Sequence, residues 1–176
     1  SGLELLCLRD CRGTRRHFEG VEEKWPGSAI APVMDAVVWQ ALMLENFDFQ
    51  YDGQYETSSR LAREALETAM ETPGNEGWEH FLMVGVSGIE AIHTVRKEKY
   101  MAALSLAFEA MDHVSKSKAA SPEFVDLKLA DGMYHFWRTV MTEESSLLPD
   151  FGDFKEEGMA EMAIVETDGI FLSMPA

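Results

Sequence analysis

Leu61-Ala62-Arg63-Glu64-Ala65-Leu66-Glu67-Thr68-Ala69-Met70-Glu71-Thr72-Pro73 is the stretch that decides the fold class. Its apolar residues Leu61, Ala62, Ala65, Leu66, Ala69 and Met70 return at steps of three and four. That period places them on one stripe of an α-helix, whereas a half-buried strand would alternate. Pro73 and Gly74 interrupt the pattern, which predicts a helix over 55–71 and a stop after it. The same reading extends outward. Toward the N-terminus, helices are expected over 2–12 (broken by Gly13), from a Thr14 cap to Trp25-Pro26-Gly27, and from a Ser28 cap through Leu44. Toward the C-terminus they are expected over 76–96, over 100–118, from Ser121 and Pro122 to about Val140, and over 154–167. With no convincing alternating segment, the expected class is all-α with about eight helices.

Pro26, Pro73 and Pro122 each fall between successive helix pairs, and short connections make neighbouring helices antiparallel. The chain reads as one domain, 1–176, of helical hairpins at about 2–26, 28–73, 76–119 and 121–168, with an insert at 141–153. Hydrophobic residues make up 46% of the 176, enough for a core without staples. Fifteen basic against 31 acidic residues leave a net charge of −16, which argues against nucleic acid and anionic membrane as partners. No apolar run approaches the length of a membrane span. Cys7 and Cys11 are too few for a disulfide framework and are expected as small buried or half-buried thiols.

Residues at these positions resemble the tetratricopeptide repeat, a helix–turn–helix unit of about 34 residues. Ala62, Leu66, Ala69 and Pro73 match its second helix and closing proline, and Thr14, Phe18, Val21 and Pro26 match them more distantly. Ala36, Gly85 and Gly132 fall at its small first-helix position. Pro122-Glu123-Phe124-Val125-Asp126, Gly132-Met133-Tyr134, Leu148-Pro149 with Gly152-Asp153, and Gly158 are similar to bacterial tetratricopeptide-like proteins of uncharacterised role. The resemblance implies hairpins stacked as a right-handed superhelix, a concave surface lined by first helices, and an extracytoplasmic home.

Projecting the repeat phase puts Val33, Val37 and Gln40 on that surface, then Glu79, Leu82, Val86, Ile89 and Glu90, then Asp126, Leu129, Met133, Phe136 and Trp137. Such a groove is mostly apolar, and soluble monomers rarely leave a face of this kind open. Cover is therefore expected from the Leu147–Phe154 insert, a terminal helix or a second protomer. Gly85 and Gly88 are expected to mark a packing seam that a larger residue would overfill. The functional expectation is a non-enzymatic interaction or scaffold module that binds a protein, a peptide or its own copy. The alternative is a protein binding a small apolar or aromatic ligand between helix layers, walled by Trp39, Phe81, Tyr134, Phe136 and Trp137.

No catalytic residue, metal or cofactor is expected. Glu90 and His93 have di-iron spacing, but no second Glu-x-x-His follows, so Glu90 reads as a solvated or groove-facing acid. Gly85-Val86-Ser87-Gly88 lacks the spacing of a nucleophile elbow, and no phosphate-binding glycine loop is present. Arg9, Arg12, Arg15 and Arg16 stand among acids and read as a mixed, salt-bridged face, while the acidic stretch 139–168 is a candidate dock for it in a second copy.

Overall fold

A computed structural model describes residues 2–72, 74–144 and 152–172, the side chains of Met141 and Glu144 excepted. The described residues form eight helices and no strand: α1 (Gly2–Cys7), α2 (Cys11–Lys24), α3 (Ile30–Asn46), α4 (Asp52–Met70), α5 (Glu76–Arg96), α6 (Tyr100–Ala120), α7 (Leu127–Glu144) and α8 (Lys155–Asp168). The protein is all-α. Helices α3 and α4, α5 and α6, and α7 and α8 pack as consecutive pairs. Across the pairs, α3 also meets α5 and α5 meets α7.

The deciding stripe lies where its period puts it. Ala62 and Leu66 are fully buried and join Ala29, Val33, Leu82, Met83 and Val86 in a core shared by α3, α4 and α5. Leu61 sits at the stripe's edge, 45% exposed. A second cluster, Val84, Val114 and Leu127, ties α5 to α6 and α7.

Helix ends differ from expectation where side chains find other work. The first break falls at residues 8–10, not at Gly13. Asp10 caps α2 by accepting the Gly13 N–H at 2.8 Å, so Gly13 lies in the first turn and Thr14 is buried rather than a cap. Helix α7 begins at Leu127 instead of near Pro122, because 121–126 is a run of turns. That run frees Phe124 and Asp126 for the contacts described below. Cys7 is exposed and Cys11 half-buried, and both are free thiols.

The glycine seam is also elsewhere. Gly85 is exposed, and a Cβ there or at Gly88 would meet nothing within 4 Å, so no helix crosses at these two positions. The close approach joins α7 to α8: a Cβ on Gly132 would stand 2.5 Å from the Gly158 carbonyl oxygen, and one on Gly158 2.5 Å from that of Gly132. Backbone touches backbone there, which only glycine permits.

Candidate functional site

The site forms where the start of α5, the 121–126 turn and the segment after α8 converge. Trp78 and Phe81, one turn apart on α5, stack with centroids 5.5 Å apart. The turn is pressed against them because Gly77 is buried: a Cβ there would collide with the Ser121 hydroxyl. Ser117 also donates from its hydroxyl to the Gly77 carbonyl at 2.7 Å. Phe124 then joins the rings edge-on, 5.4 Å from Phe81 and 6.2 Å from Trp78.

Two residues on, Asp126 is only 2% exposed. Its carboxylate has no lysine or arginine partner among the described residues; instead it accepts three successive backbone N–H groups, from Ile170 at 2.8 Å, Phe171 at 2.9 Å and Leu172 at 2.7 Å. A buried charge is tolerable when hydrogen bonds of this kind replace its water. Gly169, extended after α8, turns the chain toward this carboxylate. Phe171 enters the ring cluster, 5.2 Å from Trp78, 5.5 Å from Phe81 and 5.8 Å from Phe124. The site thus holds a bent segment twice, by its backbone through Asp126 and by one face of the Phe171 ring, which stays 36% exposed.

A second, charged assembly lies between α4, α5 and α6. Arg63 donates to both oxygens of Glu90 (2.5–3.0 Å), to Glu109 at 2.6 Å and to Ser87 at 3.2 Å. Burial disfavours the guanidinium charge there, but the two carboxylates outweigh it and raise the Arg63 pKa. Ser59 donates to Glu90 as well. One turn away, Lys97 bridges Asp52 and Glu56, and Asp52 also pairs with Nε2 of His93 at 2.7 Å. Burial works against the Asp52 carboxylate, yet the bonds from Lys97 and His93 hold it below its ordinary pKa. Glu56, Ser59, Arg63, Glu90, His93 and Lys97 border an open cleft of about 480 Å³.

The expected concave surface is largely interior. Val33, Gln40, Glu79, Leu82, Val86 and Asp126 are buried; Val37, Ile89, Glu90, Leu129, Met133 and Phe136 are half-buried; Trp137 is exposed. Val33, Leu82 and Val86 lie in the core shared by α3, α4 and α5, and Asp126 faces the segment after α8, so they do not line one open groove. Glu90 is tied to Arg63 rather than solvated. Burial pushes the Glu79 carboxyl up, and its Oε2 has no hydrogen-bond partner among the described residues. Most of the Leu147–Phe154 insert lies outside the described residues; Phe154 packs on His135 and Arg138. The cover over the Phe81–Phe124 patch is the Ile170–Leu172 segment, which periodicity did not single out. The alternative's aromatic wall is dispersed: Trp39 meets Tyr51, Phe81 meets Phe124, Tyr134 meets Phe108, and Phe136 meets Trp137. The arginine-rich end is a mixed face as expected, with Arg9 on Glu45 at 3.0 Å and Arg15 on Asp35 at 2.7 Å.

Among the described residues, side chains of metal-ligand type gather in two triads, Asp52/Glu56/His93 and His135/Glu157/Glu161, and in a pair, His80/His113. No protein-family model matches the chain, and no curated protein or solved structure is detectably similar to it. No helix among the described residues is long and apolar enough to cross a membrane.

Proposed function

We propose that this chain is a non-enzymatic interaction module, built of tetratricopeptide-like stacked hairpins, that captures a bent aromatic peptide segment. The carrying observation is the seating of three consecutive backbone N–H groups on one buried carboxylate, with the middle side chain among Trp78, Phe81 and Phe124. Backbone capture supplies affinity and the ring pocket supplies selectivity, the division of labour found in peptide recognition. The chain's own Ile170–Leu172 occupies the pocket. A partner segment, or the same segment of a second copy, competes with it if it carries an aromatic residue between aliphatic neighbours and no proline at the three bonded positions. Contacts between successive first helices and a glycine at the small position of α7 support the repeat reading.

The test uses the full chain with Phe171→Ala, which empties the ring pocket without touching the carboxylate. A fluorescent peptide containing Gly-Ile-Phe-Leu-Ser is expected to bind this variant in the micromolar range and to quench or shift Trp78 emission. Adding Asp126→Ala or Phe81→Ala should abolish binding. A Phe171→Ala protein that stays folded and ignores the peptide refutes the proposal.

A second reading, binding of a small apolar molecule, is favoured by a different cleft. About 540 Å³ opens between α2, α3 and α4, walled by Phe18, Ala31, Pro32, Leu61 and Ala65. That volume suits a small ligand. An apolar naphthalene dye that binds wild type and is excluded by Ala65→Phe would support it; equal binding to both proteins would remove it.

A further inference from the structure

Two of the five histidines meet where α5 packs on α6. Nδ1 of His80 lies 2.9 Å from Nδ1 of His113, and the ring centroids are 5.0 Å apart. Two like bases in this arrangement share one proton: one ring donates from Nδ1 while the other accepts there. Burial pushes both imidazoles below the ordinary histidine value, aided at His113 by His80 itself. That shift favours the neutral imidazole, the form that binds metal ions. Each is half-buried, so one edge of the pair is open to solvent. Lys116 adds positive potential at both rings, opposed at His80 by Asp112 and by Glu76, one turn before it, and at His113 by Glu109 and Asp112. The nearby Lys116 ammonium is drawn into an ion pair with Asp112 at 2.5 Å. Both rings stand on 21-residue helices, rigid supports for a two-point grip.

The two triads differ in one decisive respect. His93 faces Asp52, with Lys97 already across Asp52 and Glu56. His135 faces Glu161 at 2.8 Å. In each, a histidine meets a carboxylate, and donor and acceptor satisfy one another without an ion. The His80–His113 hydrogen bond joins two imidazoles instead, so an ion that replaces it strands no carboxylate.

We propose that His80 and His113 are the protein ligands of a divalent transition-metal site of the zinc class, joining α5 to α6, with water completing the coordination shell. Tetrahedral Zn–N bonds of about 2.0–2.1 Å set the two nitrogens about 3.3 Å apart. The observed spacing is about half an ångström shorter, which side-chain rotation accommodates. The ion replaces the Nδ1–Nδ1 hydrogen bond, and both rings then carry their protons on Nε2. Two imidazoles favour Zn²⁺, Ni²⁺ and Cu²⁺ over Mg²⁺ and Ca²⁺, which prefer oxygen.

The test is calorimetric titration of the chelator-stripped full chain with ZnCl₂ at about physiological ionic strength, where diffuse attraction to the acidic surface is screened. One zinc per chain is expected, with micromolar affinity, a higher melting temperature, and reversal by EDTA; MgCl₂ should give no saturable heat. Loss of even an outer-shell partner typically weakens metal binding roughly 10–100-fold, and loss of a ligand weakens it no less. His80→Gln and His113→Gln should therefore each weaken zinc binding at least about tenfold, while His135→Gln and Glu56→Gln leave it unchanged. Having two independent ligand variants covers the case in which one misfolds, as judged by circular dichroism. Absence of saturable zinc binding, binding that survives in the folded variants, or binding lost with His135 or Glu56 overturns the proposal.

Discussion

The α7–α8 pair and the α4–α5–α6 junction bring helices together by opposite means. At α7–α8 the side chains are simply missing: Gly132 and Gly158 let backbone meet backbone. At the junction a long side chain spans the gap, and Arg63 reaches Glu90 on α5 and Glu109 on α6. The first contact is a matter of shape, intolerant of one added carbon and indifferent to charge. The second accommodates small shifts, because a guanidinium has several donors, but it fails if one charge is removed. Close packing and charge pairing can therefore be broken separately in this molecule.

The largest effect is expected at the seam. Gly158→Ala places a Cβ 2.5 Å from the Gly132 carbonyl oxygen and 3.0 Å from the Phe136 nitrogen, both backbone atoms that move only with their helix. A loss near the upper end of the roughly 1–3 kcal/mol range for overpacking is expected, despite alanine's better helix propensity. Urea denaturation measures it, and an unchanged midpoint would dissolve the contrast. Arg63→Met comes next. It leaves Glu90, 17% exposed, without its cation. About 2 kcal/mol is expected, less than for a fully buried pair because Glu109 is only half-buried. Glu90→Gln in the Arg63→Met background should recover part of that loss, since the stranded charge is then gone; if it does not, the junction depends on packing rather than charge.

What the sequence disclosed follows the same division. The stripe from Leu61 to Met70 announced its helix and its buried face, because the three-to-four period is local. Gly132 stood at a small position of the resemblance, but nothing local paired it with Gly158. Gly85 was misplaced because α5 is apolar on several faces, from Phe81 through Val86, so its period does not say which side looks outward. The charged junction was illegible: Arg63 and Glu109 are 46 residues apart, and no local spacing links them. Asp126 entered the expected groove by phase alone, while its true partners lie 44 to 46 residues downstream. A buried aspartate beside an aromatic turn was the available signal, but burial is not a local property.

A smaller effect should come from pH, and it sharpens the charged side of the contrast. Burial holds His93 below its ordinary value of 6.5, with the Asp52 bond opposing. Below about pH 6.5 the unfolded chain takes up a proton that folded His93 resists, so stability is complete above that value and falls as pH drops toward the folded pKa. His80 and His113, shifted the same way, add to the slope. Asp52, held low, contributes a further loss only in more acid solution, below its ordinary 3.8. The slope from one such group cannot exceed about 1.4 kcal/mol per pH unit. Melting temperature against pH should fall more gently for His93→Gln than for wild type, and identical profiles would mean that His93 titrates freely in the fold. Gly158→Ala should lower the whole profile without changing its slope.

The smallest expected effect has the opposite sign. Gly85 is the glycine that sequence phase assigned to a seam, yet it is exposed and a Cβ there meets nothing. Gly85→Ala should therefore stabilise α5 by about 0.5–1 kcal/mol, because alanine loses less backbone freedom on folding. Gly85→Leu should be tolerated too, where Gly158→Leu would not. The pair of outcomes separates glycine kept for contact from glycine that merely happens to lie on a helix. Light scattering supplies the remaining discrimination. If Gly85→Leu leaves the unfolding midpoint of the monomer intact but dissolves a dimer seen for wild type, then Gly85 does mark a seam, and the helix that crosses it belongs to a second copy.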